Sequence, residues 1–335
     1  MTLPKKIKDT DYLFLSTRIR ALEPQMLTQD RMNQMLEART PEDAAAVLMD
    51  CGYGEIRPLN VHTLQAALSE EQEKLYRELS FFAPDPDLIH VFKVRYDYHN
   101  VKVLLKSEAQ GLEADNLLLD LGRVPVRELK EKLLASDYIG LPPILQQAIE
   151  EARETLGTTR DPQLSDFVLD RACYDDMFAI AEAAGSDFLA GYVRISIDAA
   201  NLRSVVRARR MDKGTEFLSA ILFHGGNIDT GRILTAAGAG GSLPDLYALS
   251  PLKEAAEAGS EAVSGGRLTA FERLCDNAVN DYLKTARLVP FGEAPVVAYL
   301  AAKENEFTAI RIILTGLLAG LDGETIRERL RDAYV

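Results

Sequence analysis

Residues 94–106 read VRYDYHNVKVLLK, and two later stretches of the chain repeat their pattern. Residues 194–209 read RISIDAANLRSVVRAR, and residues 303–316 read KENEFTAIRIILTG. Each copy carries an acidic residue, then, after two further residues, Asn or Ala, an apolar residue and Lys or Arg. The three acids lie about 100 residues apart in a chain of 335 residues. This spacing predicts three similar units.

The matched positions of the three copies carry four kinds of residue. They are the acids Asp97, Asp198 and Glu306, then Asn100, Asn201 and Ala309, then Val101, Leu202 and Ile310, and the bases Lys102, Arg203 and Arg311. On a helix the apolar residues of a copy form one narrow stripe, with the acid beyond one edge and the base beyond the other. We interpret each copy as a core-facing helix. The alternative is that both charges are solvated flanks of the helix.

Glycine-bearing turns follow all three copies, near Gly122, Gly226 and Gly323. Strand-like alternation is weak, and no Asn-Gly or Asp-Gly hairpin signal separates two strand-like runs. The sequence therefore predicts an all-α protein. We divide it into three helical repeats, residues 1–112, 113–216 and 217–335.

Helix boundaries are marked at several places. Thr40-Pro41-Glu42-Asp43 predicts a helix start, with Thr40 as N-cap and Pro41 in the first turn. Cys51-Gly52-Tyr53-Gly54 predicts a helix end. Residues 83–86, APDP, predict a break before the first copy, and the Gly-rich residues 236–242 predict a loop.

Composition limits the class of protein. A hydrophobic content of 47% is enough for packed cores. A net charge of −13 argues against nucleic-acid binding through a broad basic surface. Three cysteines without a CxxC pair predict a reducing compartment and no structural zinc site.

We find no sequence signal for membrane insertion or secretion. The N-terminal residues lack the apolar segment of a secretory signal. The longest apolar run, Ala309 to Leu321, contains Arg311 and is shorter than the ~20 residues that a bilayer requires. We therefore expect a soluble cytosolic protein, which reaches a membrane only through another protein.

Motifs for catalysis and cofactor binding are missing from the sequence. There is no phosphate-binding GxxxxGK[ST] loop, no complete dinucleotide fingerprint and no GxSxG elbow. The histidines form no HxxxH or HExxH pair; they are His62, His90, His99 and His224. We predict no catalytic residues, no cofactor and no metal.

Together the motifs resemble a known family, the C subunits of archaeal and bacterial V-type (A/V-type) ATPases, which are similar to the d subunit of the eukaryotic vacuolar enzyme. The resemblance rests on Tyr12, Arg18, Arg20, Glu23, the CGYG turn at 51–54 and the DxxN helices at Asp97 and Asp198. It covers essentially the whole chain. The third copy departs from the pattern at Glu306 and Ala309, which puts an identical role for it in doubt.

The resemblance implies a fold and a function. Family members are all-helical and funnel-shaped, with three similar subdomains in a pseudo-threefold arrangement. They are non-catalytic rotor subunits of the central stalk, and they couple the shaft to the membrane proteolipid ring during ATP synthesis or hydrogen-ion transport. The implied partners are the shaft subunits and the ring. The chain would be a monomer within this hetero-oligomer, on the cytoplasmic face of the membrane. The alternative is a helical-repeat adaptor or scaffold unrelated to ion transport.

The polar residues of the copies are candidates for partner contact or for locking the repeat helices to their neighbours. They are Arg95, Asp97, Asn100, Lys102, Arg194, Asp198, Asn201, Arg203, Arg207, Glu306 and Arg311. Their recurrence beside the apolar stripe motivates this hypothesis. Ion pairing within the same helix at the surface is the alternative for the bases.

Overall fold

A computed structural model describes residues 7–112 and 114–335 of the chain. Every regular element in these residues is helical, which confirms the predicted all-α class for the described part. The helices, in chain order, are α1 Leu13–Leu22, α2 Gln29–Leu36, α3 Pro41–Ala46, α4 Val61–Phe82, α5 Asp87–Gln110, α6 Val126–Ala135, α7 Pro143–Thr159, α8 Pro162–Ala184, α9 Asp187–Arg210, α10 Thr215–Ile221, α11 Thr230–Gly238, α12 Leu243–Leu246, α13 Lys253–Val263, α14 Leu268–Lys284, α15 Glu293–Leu318 and α16 Gly323–Arg327.

The helices form two compact units. Among the described residues, the middle unit comprises Asp85–Gly240, whereas the terminal unit joins Ile7–Pro84 to Gly241–Val335. The predicted division into three repeats remains a prediction, as does their pseudo-threefold arrangement. Residues 1–6 and 113, at the edges of the predicted repeats, lie outside the described residues.

In the middle unit, α5 and α9 carry the first two copies of the repeated pattern. Helix α8 packs against α5, α7 and α9. The apolar stripe of α5, from Val94 to Leu105, is buried as expected. Burial extends beyond the stripe to Phe92 and Tyr96, and α9 likewise buries residues around much of its circumference. Both helices are therefore core helices rather than surface helices with a single buried face.

In the terminal unit, α15 carries the third copy. Its stripe residues Phe307, Ile310 and Leu314 belong to one buried hydrophobic cluster with residues from the beginning of the chain. Those partners include Leu27, Met32, Met35, Leu36, Leu48, Leu64 and Leu68. Burial of this apolar surface ties the first quarter of the chain to the last helices.

Several predicted boundaries agree with the structure. The Thr40 side chain accepts a hydrogen bond from the N–H of Asp43 at the start of α3. Gly52 has a φ of 81° and ends the 3-10 turn Val47–Cys51. Helix α4 ends at Phe82, ahead of the predicted break. The predicted loop at 236–242 is wrong for its first residues, because α11 continues to Gly238.

The three copy helices end in the same way, and the left-handed residue that follows each helix stands at the same distance after its acid. Each has a left-handed residue past its last turn, and the N–H of the following residue bonds back to a carbonyl inside the helix. The left-handed residues are Gly111, Asp212 and Gly320. The back-bonds run from Leu112 to Ser107 (3.1 Å), from Lys213 to Ala208 (2.9 Å) and from Leu321 to Gly316 (3.0 Å). The similarity read from the sequence therefore extends to backbone geometry.

Candidate functional site: three buried carboxylates

The acids of the three copies are buried. Asp97, Asp198 and Glu306 are 0%, 1% and 5% exposed, and Asn100 and Asn201 are fully buried. The alternative that these acids are solvated helix flanks is wrong. A buried carboxylate loses its hydration, so its partners inside the protein decide what it does.

Asp97 binds the loop that precedes α6. Its oxygens accept hydrogen bonds from the backbone N–H groups of Arg123 (2.9 Å) and Val124 (3.1 Å) and from Nε of Arg123 (2.7 Å). The guanidinium of Arg123 also binds Asp176 of α8 (2.6 Å). Tyr98 donates its hydroxyl to the same Asp176 (3.2 Å). One cation thus connects α5, α8 and the loop.

The charged groups in this network influence each other's protonation. Burial raises the pKa of Asp97, although the charge and hydrogen bonds of Arg123 act in the opposite direction. Burial alone would lower the pKa of Arg123, but the hydrogen bonds and charges of Asp176 and Asp97 outweigh it and raise that pKa. Arg123 therefore remains a cation at this site.

Asp198 binds the equivalent loop before α11, but through amides. It accepts hydrogen bonds from the N–H groups of Asn227 (3.1 Å) and Ile228 (3.0 Å) and from Nδ2 of Asn227 (2.8 Å). Burial raises the pKa of Asp198, and these hydrogen bonds oppose the rise. Asn227 thus occupies the place that Arg123 has in the first copy.

The asparagines of the motif fasten the same two loops at a second point. Asn100 donates Nδ2 to the carbonyl of Leu119 (2.8 Å) and accepts the N–H of Leu119 (2.9 Å). Asn201 makes the same reciprocal pair with Phe223, at 2.8 Å in both directions. Each side-chain amide therefore satisfies both backbone groups of one loop residue.

A glycine lies against the acid in both loops. A Cβ atom on Gly122 would stand 2.2 Å from Oδ1 of Asp97, and one on Gly226 would stand 2.3 Å from Oδ1 of Asp198. No side chain fits in that space. Close approach of the loop to the acid, rather than a special φ angle, explains these two glycines.

Glu306 of the third copy has different partners. It accepts hydrogen bonds from the N–H of Leu27 (2.7 Å) and the hydroxyl of Tyr53 (2.5 Å), and it forms an ion pair with Lys303 (2.5 Å). Lys303 also lies over the rings of Tyr53 and Phe307, at 4.7 and 5.1 Å from their centroids. Burial and the charge of Glu306 raise the pKa of Tyr53 well above its ordinary value. Lys303, which interrupts the apolar stripe, thereby supplies the cation of the third site.

Two of the candidate bases contact neighbouring helices. Lys102 forms an ion pair with Asp170 of α8 (2.5 Å), and Nε of Arg311 donates to Oε1 of Gln65 in α4 (3.0 Å). Pairing within their own helix is therefore wrong for these two bases. Arg203 is partly buried.

The other candidate arginines lie at or near the surface. Arg95 is partly buried and donates to the hydroxyl of Tyr192 (3.4 Å). Arg194 and Arg207 are exposed, and the guanidinium of Arg194 lies 5.8 Å from the ring centroid of Phe178. Whether any of these arginines contacts a partner stays a prediction.

Sequence reasoning missed the residues that complete the sites, namely Arg123, Asp176, Asn227, Tyr53 and Leu27. A signal for two of them was present, because both loops place a glycine, one polar residue and a β-branched residue in succession, GRV and GNI. The glycine-bearing turn predicted after the third copy is present between α15 and α16, where Gly323 begins α16. Gly323 lies against the carbonyl of Leu36, and the loop contact of Glu306 comes from Leu27.

The contacts of the three buried carboxylates favour a structural role, in which each acid holds a loop against its helix, over a catalytic one. The three carboxylates are enclosed, and hydrogen-bond donors of the protein occupy their oxygens, so they hold loops against helices. Within residues 7–112 and 114–335, no three His, Cys, Asp or Glu residues are grouped so that they could hold a metal ion. No helix of the described part is both long and apolar enough to cross a bilayer.

Comparison with known proteins decides the family. The model of the ATP synthase (C/AC39) subunit family matches residues 15–329. The chain belongs to this family. The resemblance to C subunits of V/A-type ATPases inferred from the motifs is confirmed, and it covers nearly the whole chain.

Curated relatives match along most of their length as well. The C subunit of the V-type sodium ATPase of Enterococcus hirae is 25% identical over 97% of this chain and 99% of the relative. The C subunit of the A-type ATP synthase of Methanocaldococcus jannaschii is 25% identical over 95% of this chain and 86% of the relative. Its counterpart in the A-type ATP synthase of Thermococcus kodakarensis is 23% identical over 96% and 90%, respectively.

Proposed function

We propose that this chain is the C subunit of a V/A-type rotary ATPase or ATP synthase and that it acts as a non-catalytic rotor part. In this role it is a socket of the central stalk between the shaft and the proteolipid ring. The observation that carries the proposal is the family match over residues 15–329, together with relatives, themselves C subunits, that match along nearly their full length.

The buried carboxylates support a mechanical role. A socket that transmits torque needs helices and loops that keep their positions under load. Charge-assisted hydrogen bonds inside a packed core provide such rigidity, because breaking one exposes an unsatisfied buried charge. Asp97, Asp198 and Glu306, with Asn100 and Asn201, lock the loops. Lys102 and Arg311 add polar contacts to neighbouring helices.

The exposed arginines suit contact with partners in the complex. Arg194 and Arg207 belong to α9 and carry positive charge on a chain whose net charge is −13. Exposed positive charge can orient a partner that carries acidic groups. The chain would sit as a single copy on the cytoplasmic face of the membrane, held there by the ring and the shaft.

Affinity capture from solubilised membranes tests the proposal. A tagged chain is expected to bring down the shaft subunits and the proteolipid ring, identified by mass spectrometry. Arg194→Glu is expected to reduce this capture. The matched control is Arg127→Glu on α6, an exposed arginine whose ion pair with Glu131 lies within its own helix.

The outcomes separate the two functions considered. If the wild-type chain captures neither the shaft nor the ring, the rotor role is wrong and a helical-repeat adaptor unrelated to ion transport is favoured. If both charge reversals leave capture unchanged, the contact role of Arg194 is wrong while the rotor role stands.

A further inference from the structure

The loop that meets each buried acid has a fixed relation to the helix that follows it. Val124 donates its N–H to Asp97 and stands two residues before α6, and Ile228 donates to Asp198 two residues before α11. Leu27 donates to Glu306, and it too stands two residues before a helix, α2. In the third copy, therefore, a segment from the beginning of the chain binds the acid. In the other two copies the acid is bound by the loop that follows its own helix.

The glycine position obeys the same correspondence. Two residues before the donor, the first two copies have a glycine against a short aspartate. The third copy has Gln25 at that place, and its acid is Glu306, which is one methylene longer. A longer acid reaches a backbone that stands farther away and leaves room for a side chain. The longer acid and the larger loop residue therefore occur together: the first two copies pair an aspartate with a glycine, and the third pairs Glu306 with Gln25.

The same correspondence explains why the third copy has Ala309 where the other two copies have an asparagine. Five residues before the donor stand Leu119 and Phe223, loop residues whose backbone groups are bound by Asn100 and Asn201. The corresponding residue in the third copy is Leu22, the last residue of α1. Its N–H lies inside a helical turn and needs no side-chain acceptor. Ala309 can therefore stand where the other copies need an asparagine.

The segment that follows α16 is bound elsewhere in the terminal unit. The N–H of Asp332 donates to Asn277 (3.1 Å), Asn280 donates to the carbonyl of Asp332 (2.8 Å), and Arg331 pairs with Asp276 (2.5 Å). These contacts hold the segment on α14. It does not take the place at Glu306 that Leu27 occupies.

We propose that residues 23–36 are the capping loop and helix of the third copy, supplied from the beginning of the chain, and that they act as a closing strap on α15. In the first two copies the loop follows its helix in sequence. The strap is separated from α15 by more than 250 residues and is held by the hydrogen bond of Leu27 to Glu306 and by the shared hydrophobic cluster, to which Tyr53 belongs. It can therefore open locally while the loops at Asp97 and Asp198 stay closed.

Hydrogen–deuterium exchange on the full chain tests whether residues 23–36 open as a separate strap. In Glu306→Ala, the amides of residues 23–36 are expected to exchange about 10- to 100-fold faster, as loss of a charge-assisted buried hydrogen bond implies. The amides of 119–124 and 223–228 keep their wild-type rates. Asp198→Ala reverses the pattern, with faster exchange at 223–228 and unchanged exchange at 23–36. Asn305→Ala, an exposed position on α15, is the control.

Two results overturn the proposal: unchanged exchange at 23–36 in Glu306→Ala, or an equal rise across the whole terminal unit. If Glu306→Ala loses its native circular dichroism, the measurement is made on Glu306→Asp. That variant keeps the charge but is too short for the strap, so the same local rise is expected.

Substitution of the corresponding loop positions gives an independent check. Gly122→Ala and Gly226→Ala are expected to speed exchange in their own loops, whereas Gln25→Ala leaves the strap unchanged, because a side chain is already accommodated there. A strap that opens in Gln25→Ala as much as the loops do in the glycine variants contradicts the correspondence.

Discussion

At the scale of single residues, the middle unit depends on the absence of two Cβ atoms. Gly122 and Gly226 let a loop backbone reach a buried aspartate, and any larger residue would have to push the loop or the helix aside. The loop supplies the N–H groups that compensate the buried charge. Displacing the loop therefore costs packing and hydrogen bonding together.

Gly226→Ala is expected to lower the free energy of unfolding by about 1–3 kcal/mol, the usual range for overpacking a core. Urea denaturation followed by circular dichroism measures it. Gly157→Ala is the matched control, because that helical glycine has open space around its Cβ position. Alanine there is expected to stabilise the protein by about 0.5–1 kcal/mol. An equal loss in both variants would contradict the steric explanation.

The pH dependence of Asp198 has a definite sign. Its folded pKa is raised above 3.8, so between 3.8 and the folded pKa the folded state binds more protons than the unfolded state. The stability of the wild type relative to Asp198→Asn should therefore fall as pH rises through this window and then level off. Urea midpoints of both proteins between pH 4 and 8 measure it. Asp187→Asn, at an exposed position of the same helix, is the matched control.

Sequence analysis could single out the acids but not their burial. Helical periodicity gives an angle around the helix axis, and the angle of Asp97 lies at the edge of the apolar stripe. Whether a residue at the edge of the stripe is exposed to solvent depends on what packs against it. For Asp97 this is the loop that contains Arg123. That contact joins positions separated by a helix end and an irregular segment, for which no periodicity exists.

At the scale of elements, α5 and α8 are joined by ion pairs of two kinds. Arg123 is 11% exposed and bridges Asp97 and Asp176, whereas Lys102 and Asp170 are 21% and 44% exposed. Removing one member of a buried network leaves an uncompensated charge. A pair that water reaches is screened and contributes little.

Arg123→Met is therefore expected to lower the free energy of unfolding by about 3–5 kcal/mol. Lys102→Met, the matched change at the more exposed pair, is expected to cost at most about 1 kcal/mol. Chemical denaturation of both variants at neutral pH measures the contrast. Equal losses would show that exposure does not separate the two pairs.

The elements themselves were largely predictable from sequence, whereas their partners were not. Thr40 and Pro41 mark the start of α3 because they satisfy the requirements of a helix N-terminus locally. The turn at Gly323 was likewise predictable from the sequence as a turn, whereas its packing against Leu36 was not. A glycine in the sequence marks a tight turn or a close approach, but it does not identify which distant segment lies beside it.

At the scale of the whole molecule, family membership follows from similarity along the chain, while the discontinuity of the terminal unit does not. The repeat pattern suggested boundaries between consecutive thirds. The structure groups Ile7–Pro84 with Gly241–Val335 in one compact unit, and the division into three repeats remains a prediction. The residues that cause this are Leu27, Tyr53 and the cluster around Ile310, and no local pattern connects them in sequence.

The discontinuity of the terminal unit has a consequence for synthesis on the ribosome. Helix α15 is made long after α2, and at roughly 5–20 residues per second the interval is on the order of tens of seconds. During that time Met32, Met35 and Leu36 have no α15 to bury them, whereas synthesis of the middle unit, Asp85–Gly240, is completed before α15 begins. We expect nascent chains arrested before α15 to resist protease over residues 85–240 and to be cleaved within 7–84. Equal protection of both segments would contradict this. If residues 7–84 are cleaved as expected, the N-terminal helices expose apolar surface until translation nears its end. A chaperone that binds apolar surface would be expected to bind them in that interval.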